Sequence, residues 1–375
     1  MLGSDAEDDD PIGDEEPQPT AVLIRPEDLS ARSLLGIWRN MHQAYYVTPC
    51  WRPDFYTALA YCGFISVSQA VPTRSGGEPI PLLIPEIQRS YGILRFDDLH
   101  IERNVRKRAG RYVLRFDTMF DNVLAALCAY HDNCWLLPEY CTLLRTLHAC
   151  GPVDIGLSTA GAQLRVHSVE LIDRATGRLV AGELGYAIGS VFTSLTGFTG
   201  EGQPSVGKIQ LVGLACVLRA AGCQLWNLGH PPREASERGP ASMLYKKEMG
   251  VTVVPRRVFL KAWVEARDQP LMRLPPAGIA SHVSAGAPCD AGEAGGADAA
   301  GARRGARAAL DGGRVGSLAI STSGARAAGG SDGGSDGGSV GGRSADGALE
   351  AQRGIDVRSL IDAWPQLERR RALPT

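Results

Sequence analysis

The chain has 375 residues and a formal net charge of −2 at pH 7, with 44% hydrophobic and 21% charged residues. This length allows one large domain or two ordinary ones, and the apolar share is sufficient for a sizeable core. No apolar run reaches the length of a membrane span, and nine irregularly spaced cysteines follow no signal peptide, so we expect reduced thiols, no membrane partner and a cytoplasmic location.

Both ends of the chain have compositions typical of disordered tails. Residues 1–21 open with sixteen residues that hold eight acids and no base. Because these acids contribute −8 to the net −2, the rest of the chain carries +6, which permits an RNA partner. Residues 270–375 contain runs such as GGSDGGSDGGSVGG, which cannot bury enough surface to fold. We expect this tail to be dispensable for folding, although 354–367 could form a short amphipathic helix.

The region between the tails begins with a predicted N-terminal subdomain at 22–163. Its predicted elements are a helix at 51–64, strand and turn at 81–96, a strand at 112–116, and amphipathic helices that begin near Met119 and Pro138. Apolar residues four positions apart indicate the helices, and alternation of apolar residues indicates the strand.

The following residues, 164–269, change from helical to strand-like patterning. The predicted elements are a hairpin made of VHSVELID and the long strand LVAGELGYAIGSVFTS, a helix from Ser205 to Ala221, a strand at QLWNLG, a short helix at SMLYKKEMG and a strand at VTVVP. This order matches the central part of the acetyltransferase-like (GNAT-like) fold. We therefore predict an α+β protein: a mixed sheet with flanking helices, plus a smaller N-terminal α/β subdomain and disordered tails.

The stretch GQPSVGKI at 202–209 has Gly-x4-Gly-Lys, but Ile209 stands where a phosphate-binding loop has Ser or Thr. Its spacing also differs from the pyrophosphate turn that acetyl-CoA uses in this kind of fold. The ordinary reading is a turn before a helix. Lys208, in the first turn of that helix, could still attract a phosphate of a tRNA end.

Cys128, His131 and Cys134 have the spacing C-x2-H-x2-C. A zinc site needs four converging ligands, whereas these residues lie on a helix with apolar core positions, where free cysteine is common. We therefore expect neither a metal nor a cofactor.

The densest basic cluster comprises Arg103, Arg106, Lys107, Arg108 and Arg111. Such a cluster is either a solvated face or a surface that contacts RNA phosphates without reading sequence.

Five linked stretches resemble a known family. They are CWLLPEYCTLLRTLH, VHSVELID, LVAGELGYAIGSVF, a helix, and MGVTVVPRRVFL. They resemble the TWI…AYxxLHxxG, AHSVEVW, LVGGLYGVxxGxxF, helix and LGAxxIPRxxF stretches of leucyl/phenylalanyl-tRNA–protein transferases, in the same order over residues 80–262.

The resemblance implies an enzyme that takes Leu or Phe from a charged tRNA and joins it to the α-amine of a protein that begins with Lys or Arg, which marks that protein for degradation. Aminoacyl-tRNA would be the donor and a protein N-terminus the acceptor. Trp135 is expected to contact the aminoacyl-adenosine end, unless it is a core aromatic. Phe192, Leu195 and Phe198 match the substrate-binding segment FxGESMF, and the basic residues at 103–111 match a segment suited to tRNA.

The chain departs from the family pattern at catalytic positions. Leu195 stands at the Glu of GESMF, and Asn227, Leu228 and Gly229 replace an Asp-Cys-Gln triplet. Asn227 can hold a hydrogen bond but cannot accept a proton at pH 7. His230 follows directly, and an imidazole can be a base near neutrality, although a histidine after a strand is often structural.

These departures leave three alternatives open. The chain is a transferase of Leu or Phe, a related acyl- or aminoacyltransferase with a changed donor or acceptor, or a noncatalytic tRNA-binding relative.

Overall fold

The computed structural model of the protein describes residues 22–73, 76–131, 135–200, 205–231, 244–276 and 354–369. The predicted acidic tail, residues 277–353 of the predicted low-complexity tail, and Cys134 lie outside these ranges.

The described helices confirm the predicted ones and add others. The helices are α1 Ala31–Arg39, α2 Pro53–Tyr61, α3 Arg103–Arg108, α4 Phe120–Tyr130, α5 Pro138–Cys150, α6 Val206–Ala220, α7 Leu244–Glu248, α8 Arg256–Arg267 and α9 Val357–Arg369. Pro138 is in the first turn of α5, where its missing N–H costs nothing. Gly222, with a φ of +82°, follows α6 as predicted.

The strands form one large sheet and two small ones. The strands are β1 Val22–Leu23, β2 Tyr46–Val47, β3 Ile65–Val71, β4 Ile80–Glu86, β5 Ser90–Leu94, β6 Tyr112–Phe116, β7 Val153–Asp154, β8 Gln163–Asp173, β9 Leu179–Ile188, β10 Val191–Thr199, β11 Leu225–Asn227, β12 Thr252–Pro255 and β13 Ile355–Asp356. In the described residues the large sheet has the order β12-β5-β11-β10-β9-β8-β6-β13, with β7 beside β8. Strands from both sides of residue 163, the predicted domain boundary, therefore share one sheet.

The prediction of a single long strand over LVAGELGYAIGSVFTS is wrong, because the chain reverses at Gly189 between β9 and β10. Gly189 has a φ of +55°, and a Cβ atom there would lie 2.5 Å from the carbonyl oxygen of Arg267. Glycine is required because this position combines a left-handed backbone with a close approach of α8. The pair Gly189-Ser190 between the two apolar runs is a two-residue hairpin signal that the prediction passed over.

Helices cover both faces of the large sheet. On one face, α2, α4, α5 and α8 contribute buried residues such as Leu59, Leu127, Leu144 and Trp263. On the other face, α6 and α9 pack on the sheet around Trp226. This arrangement confirms the α+β class. Each face has its own apolar core, as a sheet covered by helices on both faces requires.

The C-terminal stretch 354–367 does form the predicted helix, but it is not a separate appendage. Ile355 of β13 pairs with Leu114 of β6, and Val357 and Ile361 of α9 are fully buried in the core beneath α6. The guanidinium of Arg219 lies 4.6 Å from the ring centre of Trp364. This packing contradicts the expectation that everything beyond residue 270 is dispensable for folding.

Across the described ranges, no helix combines the length and the hydropathy needed to cross a bilayer.

Candidate functional site

The large sheet divides between β10 and β11. These two strands are parallel and pair from Val191 opposite Leu225 to Thr193 opposite Asn227. Beyond that point β10 stays paired with β9, whereas the chain after β11 follows β5, with hydrogen bonds of 2.9 Å that join Gly92 to Leu228 and Gly229. We call the two diverging segments, residues 193–198 and 227–230, the fork. Separating parallel strands are a common place for ligand sites.

Asn227 is the last residue of β11 and is 1% exposed. Its Oδ1 accepts a hydrogen bond of 3.0 Å from the Gly229 backbone N–H, which shapes the turn that leads to His230. Its Nδ2 has no acceptor among the described residues. A buried amide donor without a partner is costly, so this atom is a candidate for a bound oxygen.

His230 lies on the accessible side of the fork, with a side chain that is 46% exposed. Its Nε2 is 3.1 Å from Oε2 of Glu86, the buried last residue of β4. The ammonium of Lys246 donates to the carbonyl oxygens of Leu228 and His230 at 2.7 and 2.8 Å, and burial lowers the pKa of Lys246 to about 8. Glu86 and Lys246 therefore orient the side chain and the backbone of His230, and sequence reasoning missed both.

The predicted apolar substrate residues have different places in the structure. Leu195 is half-buried at a bulge in β10, where pairing with β9 shifts between Ser194 and Thr196. Phe192 is fully buried directly before the fork, and Phe198 is 7% exposed at its far end. Trp135 precedes α5, where its ring centre is 5.7 Å from that of Tyr140 and its carbonyl accepts a hydrogen bond from Ser68. These contacts of Trp135 are with β3 and α5, not with the fork.

Comparison with known proteins identifies the family. A family model described as leucyl/phenylalanyl-tRNA protein transferase matches residues 93–262, which include β10, the fork and the first part of α8. A leucyl/phenylalanyl-tRNA–protein transferase of Pseudomonas putida is 31% identical over 173 residues, which are 45% of this chain and 68% of that protein. The chain belongs to the leucyl/phenylalanyl-tRNA–protein transferase family.

Further transferases of the same name show similar relations. The protein of Xanthomonas oryzae pv. oryzae is 29% identical over 195 residues, 50% of this chain and 66% of that protein. The protein of Tolumonas auensis is 28% identical over 188 residues, 48% of this chain and 66% of that protein. The chain thus spans about two thirds of the length of these relatives, as a divergent member of the transferase family.

The fork also holds a polar cluster that sequence reasoning missed. Glu183 of β9 is 3% exposed and pairs with Gly197 of β10. Its Oε1 accepts from the Ser194 hydroxyl at 2.8 Å and its Oε2 from Nε2 of Gln210 at 3.1 Å. The indole N–H of Trp226 donates to the Ser194 oxygen at 3.0 Å. Burial raises the pKa of Glu183 to about 7, because neutral partners do not replace the lost hydration.

One signal in the sequence could have found this cluster. The segment LVAGELG is a strand of small and apolar residues with a single acid, and Glu183 is that acid. An acid in a strand buried on both faces needs partners or a raised pKa, so it is a candidate functional residue.

The basic residues form an exposed surface away from these contacts. Arg103, Arg106, Lys107 and Arg108 lie on α3, and Arg111 follows it and pairs with Asp173 at 3.5 Å. Arg358 of α9 donates to the carbonyl oxygen of Arg106, so the C-terminal helix adjoins this surface. Lys208 is different, because its ammonium binds the carboxylates of Glu102 at 2.6 Å and Glu248 at 2.5 Å. These two carboxylates already satisfy the charge that was expected to attract a phosphate.

The VHSVE segment of the family motif holds the connection between β6 and α4. Asp117, with a left-handed φ of +57°, accepts from Nδ1 of His167 and from the Ser168 N–H, both at 3.0 Å. Burial opposes ionisation of Asp117, but the neighbouring His167 and Arg165 outweigh it and lower the pKa. Glu170 accepts from the hydroxyls of Ser168 at 2.6 Å and Thr118 at 3.0 Å. The motif therefore has a structural explanation.

Of the predicted site residues, Phe192 and Asn227 lie on the paired strands where the fork begins, His230 follows Asn227, and Leu195 and Phe198 lie further along β10. A residue of the rejected zinc pattern also lies there: Nε2 of His131 is 3.0 Å from the Thr196 hydroxyl.

Proposed function

We propose that this protein transfers Leu or Phe from a charged tRNA to the α-amine of proteins that begin with Lys or Arg, and so marks them for degradation in the cytoplasm. We further propose that its sheet is of the acetyltransferase-like type, with the fork as the place of reaction. Family membership supports the aminoacyl-tRNA donor and the protein acceptor. The observation that carries the proposal is the accessible His230, held by a buried carboxylate, three residues beyond the point where β10 and β11 separate.

The reaction is aminolysis of an ester. The N-terminal amine is largely protonated at neutral pH, so a group must remove its proton before or during attack on the ester carbonyl. With Nε2–H of His230 donated to Glu86, Nδ1 is left as the basic nitrogen. His230 thus takes the role of the base. Asn227 and Gly229, which stand at the Asp and Gln positions of the family pattern, have no basic group.

Asn227 has the complementary role in this proposal. The attacked carbonyl oxygen gains negative charge, and a fixed N–H donor lowers the energy of that state. Nδ2 of Asn227 is such a donor, held in place by the hydrogen bond between its Oδ1 and Gly229. Leu195 and Phe198 would contact the apolar side chain of the donor, and Phe192 would support β10 from the core on the opposite face of the sheet. Trp135 would contact the adenosine end.

The tRNA body would bind the surface formed by Arg103, Arg106, Lys107, Arg108 and Arg111. The exposure of the four on α3 supports phosphate contacts, which need solvent-accessible cations, whereas Arg111 would have to share its charge with Asp173. Lys208 fits this role less well, because Glu102 and Glu248 would have to release it.

The test is a transfer assay with the full chain. Charged tRNA that carries radioactive Leu or Phe is mixed with a peptide that begins with Lys or Arg, and the control is the same peptide with an acetylated N-terminus. We expect label on the free peptide alone. Labelling of the peptide from acetyl-CoA instead would favour a transferase with a changed donor. Tight binding of charged tRNA without transfer would favour a noncatalytic relative, and the replacement of the Asp and Glu of the family pattern is the observation that supports this alternative.

A further inference from the structure

A second proton is required in the proposed reaction, and the fork contains a group for it. When the tetrahedral intermediate collapses, the bond between the carbonyl carbon and the terminal ribose oxygen of the tRNA breaks. The departing oxygen then needs a proton, because an alkoxide is a poor leaving group at neutral pH. His230, on the segment that follows β11, is assigned to the amine. An acid on the other branch of the fork would complete the chemistry.

We propose that the Ser194 hydroxyl protonates the departing ribose oxygen and is reprotonated by Glu183, so that Ser194 and Glu183 form the acid of this transferase. The proposal rests on the proposed function, since it assumes a tRNA ester as donor. In this step the carbon–oxygen bond breaks, the ribose oxygen receives the Ser194 proton, and the Glu183 proton moves to the serine oxygen. Solvent or the amine proton held by His230 later restores the carboxyl.

The position of Ser194 supports this assignment. It is the first residue of β10 after the parallel pairing with β11 ends, and it is partly exposed, whereas Glu183 behind it is buried. Trp226 donates to the serine oxygen at 3.0 Å, and the serine hydroxyl points at Oε1 of Glu183 at 2.8 Å. This bond reverses when Glu183 is protonated: its carboxyl O–H donates to the remaining lone pair of the serine oxygen, and the serine O–H is left to donate to the ribose oxygen. Ser194 therefore touches the ribose, and Glu183 acts through it.

The two residues also depart from the family pattern together. Ser194 stands at the Gly of GESMF, and Glu183 stands at the Leu of LVGGLYG. The strands that carry them are neighbours, and the two side chains are hydrogen-bonded to each other. A buried carboxyl without a cationic partner among the described residues destabilises a fold, so its presence beside a second polar replacement calls for a functional reason.

The electrostatic surroundings suit an acid that works near neutrality. The pKa of Glu183 is raised to about 7 by burial, so a large share of the carboxyl is protonated at neutral pH. The titratable group that faces it is Tyr245 of α7, and burial followed by the charge of Glu183 raises the pKa of that phenol to about 12. The other described groups that face it, Ser194, Gln210 and Trp226, are neutral.

The test is the pH profile of single-turnover transfer from charged tRNA. In the wild type, the rate should fall as the pH rises through about 7, because the acid is lost. Glu183→Gln should lower the rate by about 10² to 10⁴-fold at neutral pH and remove this alkaline limb. Ser194→Ala should do the same, whereas Glu183→Asp should restore part of the rate. Glu170→Gln is the matched control, since Glu170 is another buried, serine-bonded acid of the same sheet.

A second measurement does not depend on activity. The folded pKa of Glu183 lies above its unfolded value, so its contribution to stability is present at low pH and is lost as the pH rises through about 7. The melting temperature of the wild type should therefore fall relative to that of Glu183→Gln between pH 5 and pH 8.

Three results would overturn the proposal. An alkaline limb that survives in Glu183→Gln, or is lost equally in Glu170→Gln, would show that Glu183 is not the acid. A constant difference in melting temperature across this pH range would show that the carboxyl does not titrate there. A wild type that is inactive with every charged tRNA would refute the proposed function itself, and this assignment with it.

Discussion

His230 is the residue on which the first half of the proposed reaction depends. We expect His230→Ala to lower the rate of transfer by about two to four orders of magnitude, the usual range for a lost general base, without loss of folding, since the side chain is half-exposed. Asn227→Ala should cost less, through lost orientation of the carbonyl oxygen.

Glu86→Gln supplies the control for this prediction. It keeps the shape of the residue beside Nε2 of His230 but removes the charge that orients the ring, so the rate should fall less than in His230→Ala. An active His230→Ala enzyme with an unchanged pH profile would contradict the assignment and leave the proton to solvent. Rapid quench measurements at several pH values decide between the two.

Single residues of the site differ in how far the sequence could identify them. His230 and Asn227 could be named because they follow a strand that aligns with a family motif. Glu86 and Lys246 could not, because they reach His230 from β4 and α7, and no local pattern connects positions so far apart. Lys208 has a local signal, a cation in a first helical turn, yet its charge is satisfied by Glu102 and Glu248, which lie 106 and 40 positions away along the chain.

At the scale of elements, α3 carries the second functional claim. Arg106→Glu together with Arg108→Glu should weaken tRNA binding and flatten its dependence on salt. Each phosphate contact that is lost reduces the number of counterions released on binding. The fold should be unaffected, since these side chains are exposed. Arg32→Glu with Arg39→Glu is a matched control on α1, which is also exposed. If tRNA binding depends equally on salt in both double variants, α3 is an ordinary solvated surface.

Most elements could be predicted because each has a local signature. Pro138 is the first residue of α5, Gly222 follows the end of α6, and alternating apolar residues define β6. The reversal between β9 and β10 was missed although Gly189-Ser190 is a hairpin signal, because both strands are buried and no longer polar loop separates their apolar patterns. Helix α8 was not predicted, because the predicted elements ended with the strand VTVVP, which is β12; its buried residues Phe259 and Trp263 lie four positions apart, a helical spacing.

At the scale of the whole molecule, the C-terminal segment joins parts that are distant in sequence. Residues 354–369 follow a stretch of low-complexity chain and lie beyond the part matched by the family, residues 93–262. The composition therefore suggested a tail that does not pack on the rest of the protein. The segment instead extends the large sheet beside β6 and covers α6, whose Gln210 donates a hydrogen bond to Glu183.

This packing leads to a prediction about stability. Truncation after residue 276 should lower the melting temperature by several degrees or more, because it exposes the apolar face of α6 and the edge of β6. Ile361→Ala should reproduce part of the effect, at about 2 to 4 kcal/mol, since its side chain is fully buried. Ser359→Ala on the exposed face of α9 is the control and should change the free energy of unfolding by less than about 0.5 kcal/mol. Calorimetry of the four proteins measures this directly. Equal melting temperatures for the truncated and full chains would mean that α9 does not hold its place on α6 in solution, and the C-terminal segment would then be the dispensable tail that its composition suggested.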